Sequence, residues 1–199
     1  MDNLDSLVLE LYSRIKNLEN KVEMLEVRLS DNQRSFENEE VNEINNEEQP
    51  KRITRSVARK QAIDKIENLN PSINVKIAKR SDSGDLIIQK NKITLDAKFY
   101  YSKSHIKEHV SSWHTVKEED IFNDDIDIHI FSVSYEGEFH TFLFTAQELQ
   151  NFVKNKESGS AELYHFYFHK HGDQTTEVRD GEKDVNKFYE RWSVVADLL

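Results

Sequence analysis

The chain has no cysteine, which excludes disulfides and thiolate-bound zinc outright. Only two prolines and five glycines occur in 199 residues. No P-loop, Rossmann fingerprint or nucleophile elbow is present, so glycine-built phosphate cradles and hydrolase-type serines are excluded as well. No apolar run approaches the roughly 18 residues that a membrane span needs. Met1–Asp5 is acidic where a signal peptide would be basic. These absences lead to the expectation of a soluble intracellular protein, of cytoplasm or nucleus, without membrane contact.

Charge is abundant and unevenly spread. The net charge is −10, but residues 1–50 carry −8, residues 51–107 carry +9 and residues 108–199 carry −11. A basic block therefore sits between two acidic ones, and it forms a local field that phosphate can feel despite the acidic whole.

Leu4, Leu11, Leu18 and Leu25 recur every seven residues, with Val8, Ile15, Val22 and Leu29 between them. Leucine at d and mostly β-branched residues at a favour a parallel two-stranded coiled coil. Arg14 and Lys21 at g would face Glu19 and Glu26 at e of a second copy. The expectation is a homodimer through residues 4–29. Leu7 and Tyr12 widen the apolar stripe and leave a higher homo-oligomer open. The organisation reads as a coiled-coil helix over 1–30, a flexible acidic linker over 31–50 and a folded domain over 51–199.

Within the domain the pattern predicts a helix over Thr54–Leu69 with Val57, Ala62, Ile63, Ile66 and Leu69 on its apolar face, stopped by Asn70-Pro71. Strands follow at about Asn74–Lys79, Asp85–Gln89 and Ile93–Tyr100, the last two joined by Lys90-Asn91-Lys92. His105–Asp120 reads as helix or loop. Strands Ile126–Tyr135 and Phe139–Phe144 flank Glu136-Gly137. Thr145 caps a helix over Ala146–Lys154, with Glu148 in its first turn. Glu162–His169 reads as a strand and Lys183–Leu199 as a helix. This order of elements defines a mixed α/β domain.

Three charged residues interrupt the apolar hairpin. With the turn centred on Asn91, Asp85 faces Asp96 or Ala97, and Lys98 shares a strand face with Asp96. Two carboxylates and an ammonium at one place suit phosphodiester hydrolysis. The carboxylates would hold Mg²⁺ or Mn²⁺, the metal would polarise phosphate and acidify water, and the lysine would orient that water or stabilise developing charge.

Gly84-Asp85-Leu86-Ile87-Ile88 followed by Ile93-Thr94-Leu95-Asp96-Ala97-Lys98 resembles the PD-(D/E)xK motif of the restriction-endonuclease-like nucleases. The resemblance spans about residues 54–135. It implies a mixed-sheet restriction-endonuclease-like fold, Asp85 and Asp96 as ligands of Mg²⁺ or Mn²⁺, and Lys98 as the catalytic lysine. It further implies an acid from the preceding helix, for which Glu67 is the candidate and Asp64 the fallback. Gly84 departs from the family pattern, which has proline before the first acid. The resulting expectation is a metal-dependent DNA endonuclease dimerised through a coiled coil. The alternative is a non-catalytic oligomeric DNA-binding or adaptor protein with a nuclease-like fold.

The basic run Lys51, Arg52, Arg55, Arg59 and Lys60 is expected to contact phosphate, with a solvated helix face as the plain alternative. His165, His169 and His171, sharing a face with Tyr167, read as a polar face opposite Tyr164, Phe166 and Phe168. Trp113-His114 reads as packed, with base stacking as the other option.

Overall fold

Apolar alternation in the middle of the chain builds one five-stranded sheet, with a buried cluster of described residues on each of its faces. The computed structural model describes residues 53–154, 156 and 162–199, all within the unit Arg52–Leu199. The heptad segment, the acidic linker, Lys51 and Arg52 lie outside the described residues. In chain order the elements are α1 (Arg55–Glu67), β1 (Ile73–Ile77), β2 (Leu86–Lys90), β3 (Ile93–Lys103), β4 (Val110–Ser111), β5 (His114–Lys117), α2 (Glu118–Ile121), β6 (Ile128–Tyr135), β7 (Glu138–Thr145), α3 (Ala146–Val153), β8 (Leu163–Phe166), β9 (Phe168–His171), β10 (Gln174–Glu177), β11 (Lys183–Asp184) and α4 (Ser193–Leu198).

The main sheet has the order β1-β2-β3-β6-β7. β1, β2 and β3 are antiparallel neighbours, β3 and β6 run parallel, and β7 returns antiparallel to β6. The domain is thus a mixed α/β fold on a mixed sheet. The β2–β3 turn has two residues, Asn91 and Lys92, with Asn91 at φ 56. This pairs Leu86 with Ala97 and Ile87 with Asp96, so Asp85 lies opposite Lys98, one step beyond the expected register.

Each face of the sheet has its own core. Ile128 and Ile130 of β6 join Leu86, Ile88, Ala97 and Phe99 under α1 and α4. Phe131 and Val133 face the other way, into a cluster with Phe142, Phe144, Phe166, Phe168 and Phe188. Phe142 stacks on Phe168 at 4.6 Å and Phe144 on Phe188 at 3.9 Å between centroids. Covered on both sides, β6 is buried at all but its last position, as central strands with a parallel partner are. His129 is consequently buried.

Several sequence expectations change for identifiable reasons. α1 buries Ala58, Ala62 and Ile66, whereas Val57 and Leu69 are exposed; the small alanines let the helix lie close to the sheet. His105–Asp120 holds β4, β5 and the short α2. The expected strand Glu162–His169 breaks at Tyr167, whose amide donates to the Glu177 carboxylate at 3.2 Å, so β8 and β9 join different sheets. The expected helix Lys183–Leu199 is helical only over Ser193–Leu198 and a single 3-10 turn, Asn186–Phe188. Val185 and Phe188 are drawn into the aromatic core, and Tyr189 bridges to Phe142, covering part of the β7 edge.

The capping box at α3 is as expected: Thr145 accepts from the Glu148 amide and Glu148 from the Thr145 amide. Glu148 also receives both terminal nitrogens of Arg191. The Arg191 hydrogen bond, with help from the Thr145 amide, holds the Glu148 carboxyl down at about 2. Its stabilising effect is therefore complete above the usual carboxylate pKa and is lost as pH falls toward 2. Replacing Glu148 by alanine removes the cap and strips Arg191 of its partner. The expected loss is about 2 kcal/mol, discounted for partial exposure, read as a lower urea midpoint at neutral pH.

Candidate functional site

Strand alternation sorts the residues of β3. Leu95, Ala97 and Phe99 point into the core beneath α1, which leaves Asp96, Lys98 and Tyr100 on the opposite face. Each of these three meets a different set of partners.

The carboxylate of Asp96 lies where the 82–84 loop and the 125–127 loop meet. Its amide donates to Asp127 at 2.8 Å, and the Asp127 amide returns a bond to the Asp96 carbonyl at 2.9 Å. Burial first, then Asp127, Asp82 and Asp125, raise the Asp96 carboxyl above its ordinary value, while an amide bond from Gly84 works against them. A carboxylate crowded by three others is a place where positive charge is favoured.

Gly84 explains how this contact is made. A Cβ on it would stand 3.0 Å from the Ala97 carbonyl oxygen and 3.2 Å from Oδ1 of Asp96. A side chain here would make the Ala97 backbone or Asp96 give by a few tenths of an ångström, and only a residue with an amide hydrogen can donate to Asp96; proline, the residue of the family pattern, lacks that hydrogen. Gly84→Ala is therefore expected to displace Asp96 and lower whatever activity depends on it by about tenfold or more, with the melting temperature nearly unchanged. Parallel rate and melting measurements check this.

Lys98 reaches Asp120 of α2 at 2.8 Å, with both side chains about four-fifths covered (21% exposed each). Beyond it the Tyr100 hydroxyl meets Nδ1 of His129 at 3.2 Å, and the tyrosine ring stacks on Phe131 at 4.7 Å. Burial, then Asp120 and Asp85, push the Tyr100 hydroxyl far above its usual range. Burial, then Lys98, pushes His129 down to about 3, so the ring is neutral at physiological pH. Asp120 was not singled out from the sequence. It lies in the run Glu118-Glu119-Asp120, and no spacing rule ties a residue there to a lysine 22 positions earlier.

Asp85 is oriented differently. One carboxylate oxygen accepts from the Phe99 amide at 2.9 Å, closing β3 where β2 has ended. The other accepts from Arg55 of α1 at 3.0 Å, and Arg55 also donates to the Phe99 carbonyl. Arg55, expected to contact phosphate, is thus a partner of the first acid. Asp96 and Lys98 share a face as expected, and Asp85, opposite Lys98 in the register, is tied to Arg55 of α1.

Glu67 does not join the group. Its carboxylate accepts from the Val75 amide at 3.0 Å, satisfying a mid-strand amide of the edge strand β1. It sits twelve residues along α1 from Arg55, about 18 Å at the helical rise. Asp64 lies on the same distant half of the helix. Arg59 and Lys60 continue the basic face of α1, Arg59 half-buried and Lys60 exposed.

The remaining candidates separate. Tyr164, Phe166 and Phe168 are buried, as expected. His165 contacts Thr115 at 3.1 Å, while His169 contacts Ser111 at 3.0 Å. His114 is buried against Phe131 and Phe168, and Trp113 is exposed.

Among the described residues, no three of His, Asp and Glu stand in ligand geometry. The oxygen-only donor set around Asp96 nevertheless suits a hard cation. The Arg55 side chain is half-exposed, so Asp85 can exchange that partner for a metal without breaking a core.

No protein-family model matches the chain, and no curated protein matches it. Among solved structures it is similar to a bacterial homing endonuclease, I-Ssp6803I, with 13% identity over 71% of this chain and 89% of that one, at a TM-score of 0.45. A likeness this distant bears on neither site nor chemistry. Among the described residues no helix is long and apolar enough to cross a membrane.

Proposed function

We propose that the domain is a metal-dependent endonuclease that hydrolyses DNA phosphodiester bonds and acts as a homo-oligomer assembled through residues 4–29. The observation that supports it most is the placement of Asp96 and Lys98 on one face of β3, between antiparallel β2, which Asp85 precedes, and parallel β6. This is the arrangement that the acid-x-lysine resemblance implies.

In this reading Asp96 and Asp85 would hold Mg²⁺ or Mn²⁺, with Arg55 as the partner that Asp85 would give up. The metal, when bound, polarises the phosphate and acidifies water. Lys98 places its ammonium at the attacked phosphate, and Asp120 fixes where that ammonium rests. Arg55, Arg59 and Lys60, with Lys51 and Arg52 before them in the sequence, would supply positive charge for the DNA backbone. His129 and Tyr100, both neutral, close the inner end of the site against water.

A second reading, a non-catalytic oligomeric DNA-binding or adaptor domain, is favoured by one observation. Both Asp85 oxygens and the Lys98 ammonium are already matched by protein partners. Incubating supercoiled plasmid with the full-length protein in EDTA, Mg²⁺ and Mn²⁺ separates the two. Nicked or linear product only with metal supports the enzyme; band shifts without cleavage under every metal support the binding domain.

A further inference from the structure

Two large aromatic side chains are exposed among the described residues, Trp113 at 57% and Phe122 at 49%; the other exposed large apolar residues are aliphatic. Both lie on the segment that runs through β5 and α2, the same segment that delivers Asp120 to Lys98. Trp113 begins it and Phe122 ends it.

The setting of Trp113 is specific. Its amide is pinned by the Ser102 hydroxyl at 3.2 Å. Its indole meets His165 and Tyr167 near perpendicular, at 6.3 and 5.6 Å between centroids. Edge contacts orient the ring while leaving much of the indole open to solvent. The guanidinium of Arg179 lies over the Tyr167 ring at 5.4 Å. Exposing an indole forgoes the stabilisation that its burial would give. An oriented, exposed indole next to a tyrosine ring that carries a guanidinium is chemistry that suits unpaired nucleobases: the ring stacks on the base and the guanidinium meets the phosphate. The side chains that meet the indole are His165 and Tyr167, polar-tipped rings rather than an aliphatic rim that a protein helix or loop would bury.

We infer that Trp113, with Tyr167 and Arg179, is a stacking platform for an unpaired base of single-stranded DNA. This rests on the nucleic-acid reading above and deepens it: β5 leads from the platform toward Asp120 over about 13 Å, so a strand lying along it approaches Lys98.

Tryptophan fluorescence tests this directly. The chain has two tryptophans, and Trp192 is 9% exposed with its indole N–H bonded to Glu190 at 2.8 Å, so an added ligand reports on Trp113. Titrating the full-length protein with a short oligothymidine in EDTA is expected to give saturable quenching. Trp113→Ala should weaken binding, read by anisotropy of labelled oligonucleotide, by about 5- to 150-fold, with Trp113→Phe retaining most of it. Absence of quenching, or equally tight binding by Trp113→Ala, overturns the inference even if the protein cuts duplex DNA. Quenching without cleavage under any metal leaves the platform standing and removes the enzyme. If Trp113→Ala fails to fold, quenching of the wild type and its weakening in Arg179→Ala decide the matter.

Discussion

Lys98→Ala is expected to slow plasmid cleavage by about 10²- to 10³-fold, the cost typical of removing one preorganised charge at a reacting centre. The lysine sits on a rigid central strand and Asp120 holds its ammonium at 2.8 Å. The ammonium therefore needs little reorganisation when charge develops on phosphate. Loss of the ion pair should lower stability by only about 1 kcal/mol, because both side chains still reach water. Lys98→Arg should not rescue, since a planar fork cannot occupy the place of a point charge beside Asp120. Asp120→Asn frees the ammonium without removing it and should cost about tenfold. A purely structural pair predicts another pattern: both variants lose stability and neither loses activity. Single-turnover rates measured beside urea midpoints distinguish the two.

Acidification is expected to unfold the domain in two separable stages. His114 and His129 are buried, each with Nε2 lacking a partner. Burial pushes each imidazole down to about 3, with Lys98 adding to the effect at His129. Folded, both stay neutral between pH 6.5 and 3; unfolded, both take up a proton below about 6.5. The unfolded state therefore binds more protons in that window, and stability falls as pH falls. Each histidine removes about 1.4 kcal/mol per pH unit, so the pair removes about 4 kcal/mol between pH 7.5 and 5. Burial also pushes His140 and His169 down, which acts in the same direction. Glu148 contributes only below the ordinary carboxylate pKa. Urea melts at pH 7.5, 6 and 5 read the first stage alone. His114→Gln should reduce the slope by the share of one histidine, and a flat profile between pH 7.5 and 5 would contradict the assignment.

Local chemistry was legible in the sequence where it acts locally. Asn70-Pro71 stops α1, Glu136-Gly137 turns β6 into β7 with both residues at positive φ, and Thr145 with Glu148 starts α3. The Asp96-x-Lys98 face also follows from alternation alone. What failed depends on distant partners. The one-residue register change at Asp85 comes from a two-residue turn read as three. The burial of His129 depends on the second layer of small sheets, which nothing in its sequence neighbourhood announces. Glu67 looked catalytic by position along the chain, yet its helix carries it to the far end of the sheet. The aromatic core draws Val185 and Phe188 inward, and that overrides the helical pattern expected over Lys183–Leu199. Asp120 could be found only once β5 and α2 were seen to fold back across β3.

Conversion of supercoiled plasmid by full-length protein in Mg²⁺, wild type against Asp96→Asn, tests the central claim most directly. Asparagine keeps the shape of the side chain and removes the charge that would hold the metal. The account predicts metal-dependent nicking or linearisation by wild type and none by the variant, with matching melting curves. Equal cleavage by both proteins, or none by wild type in either Mg²⁺ or Mn²⁺, would contradict it.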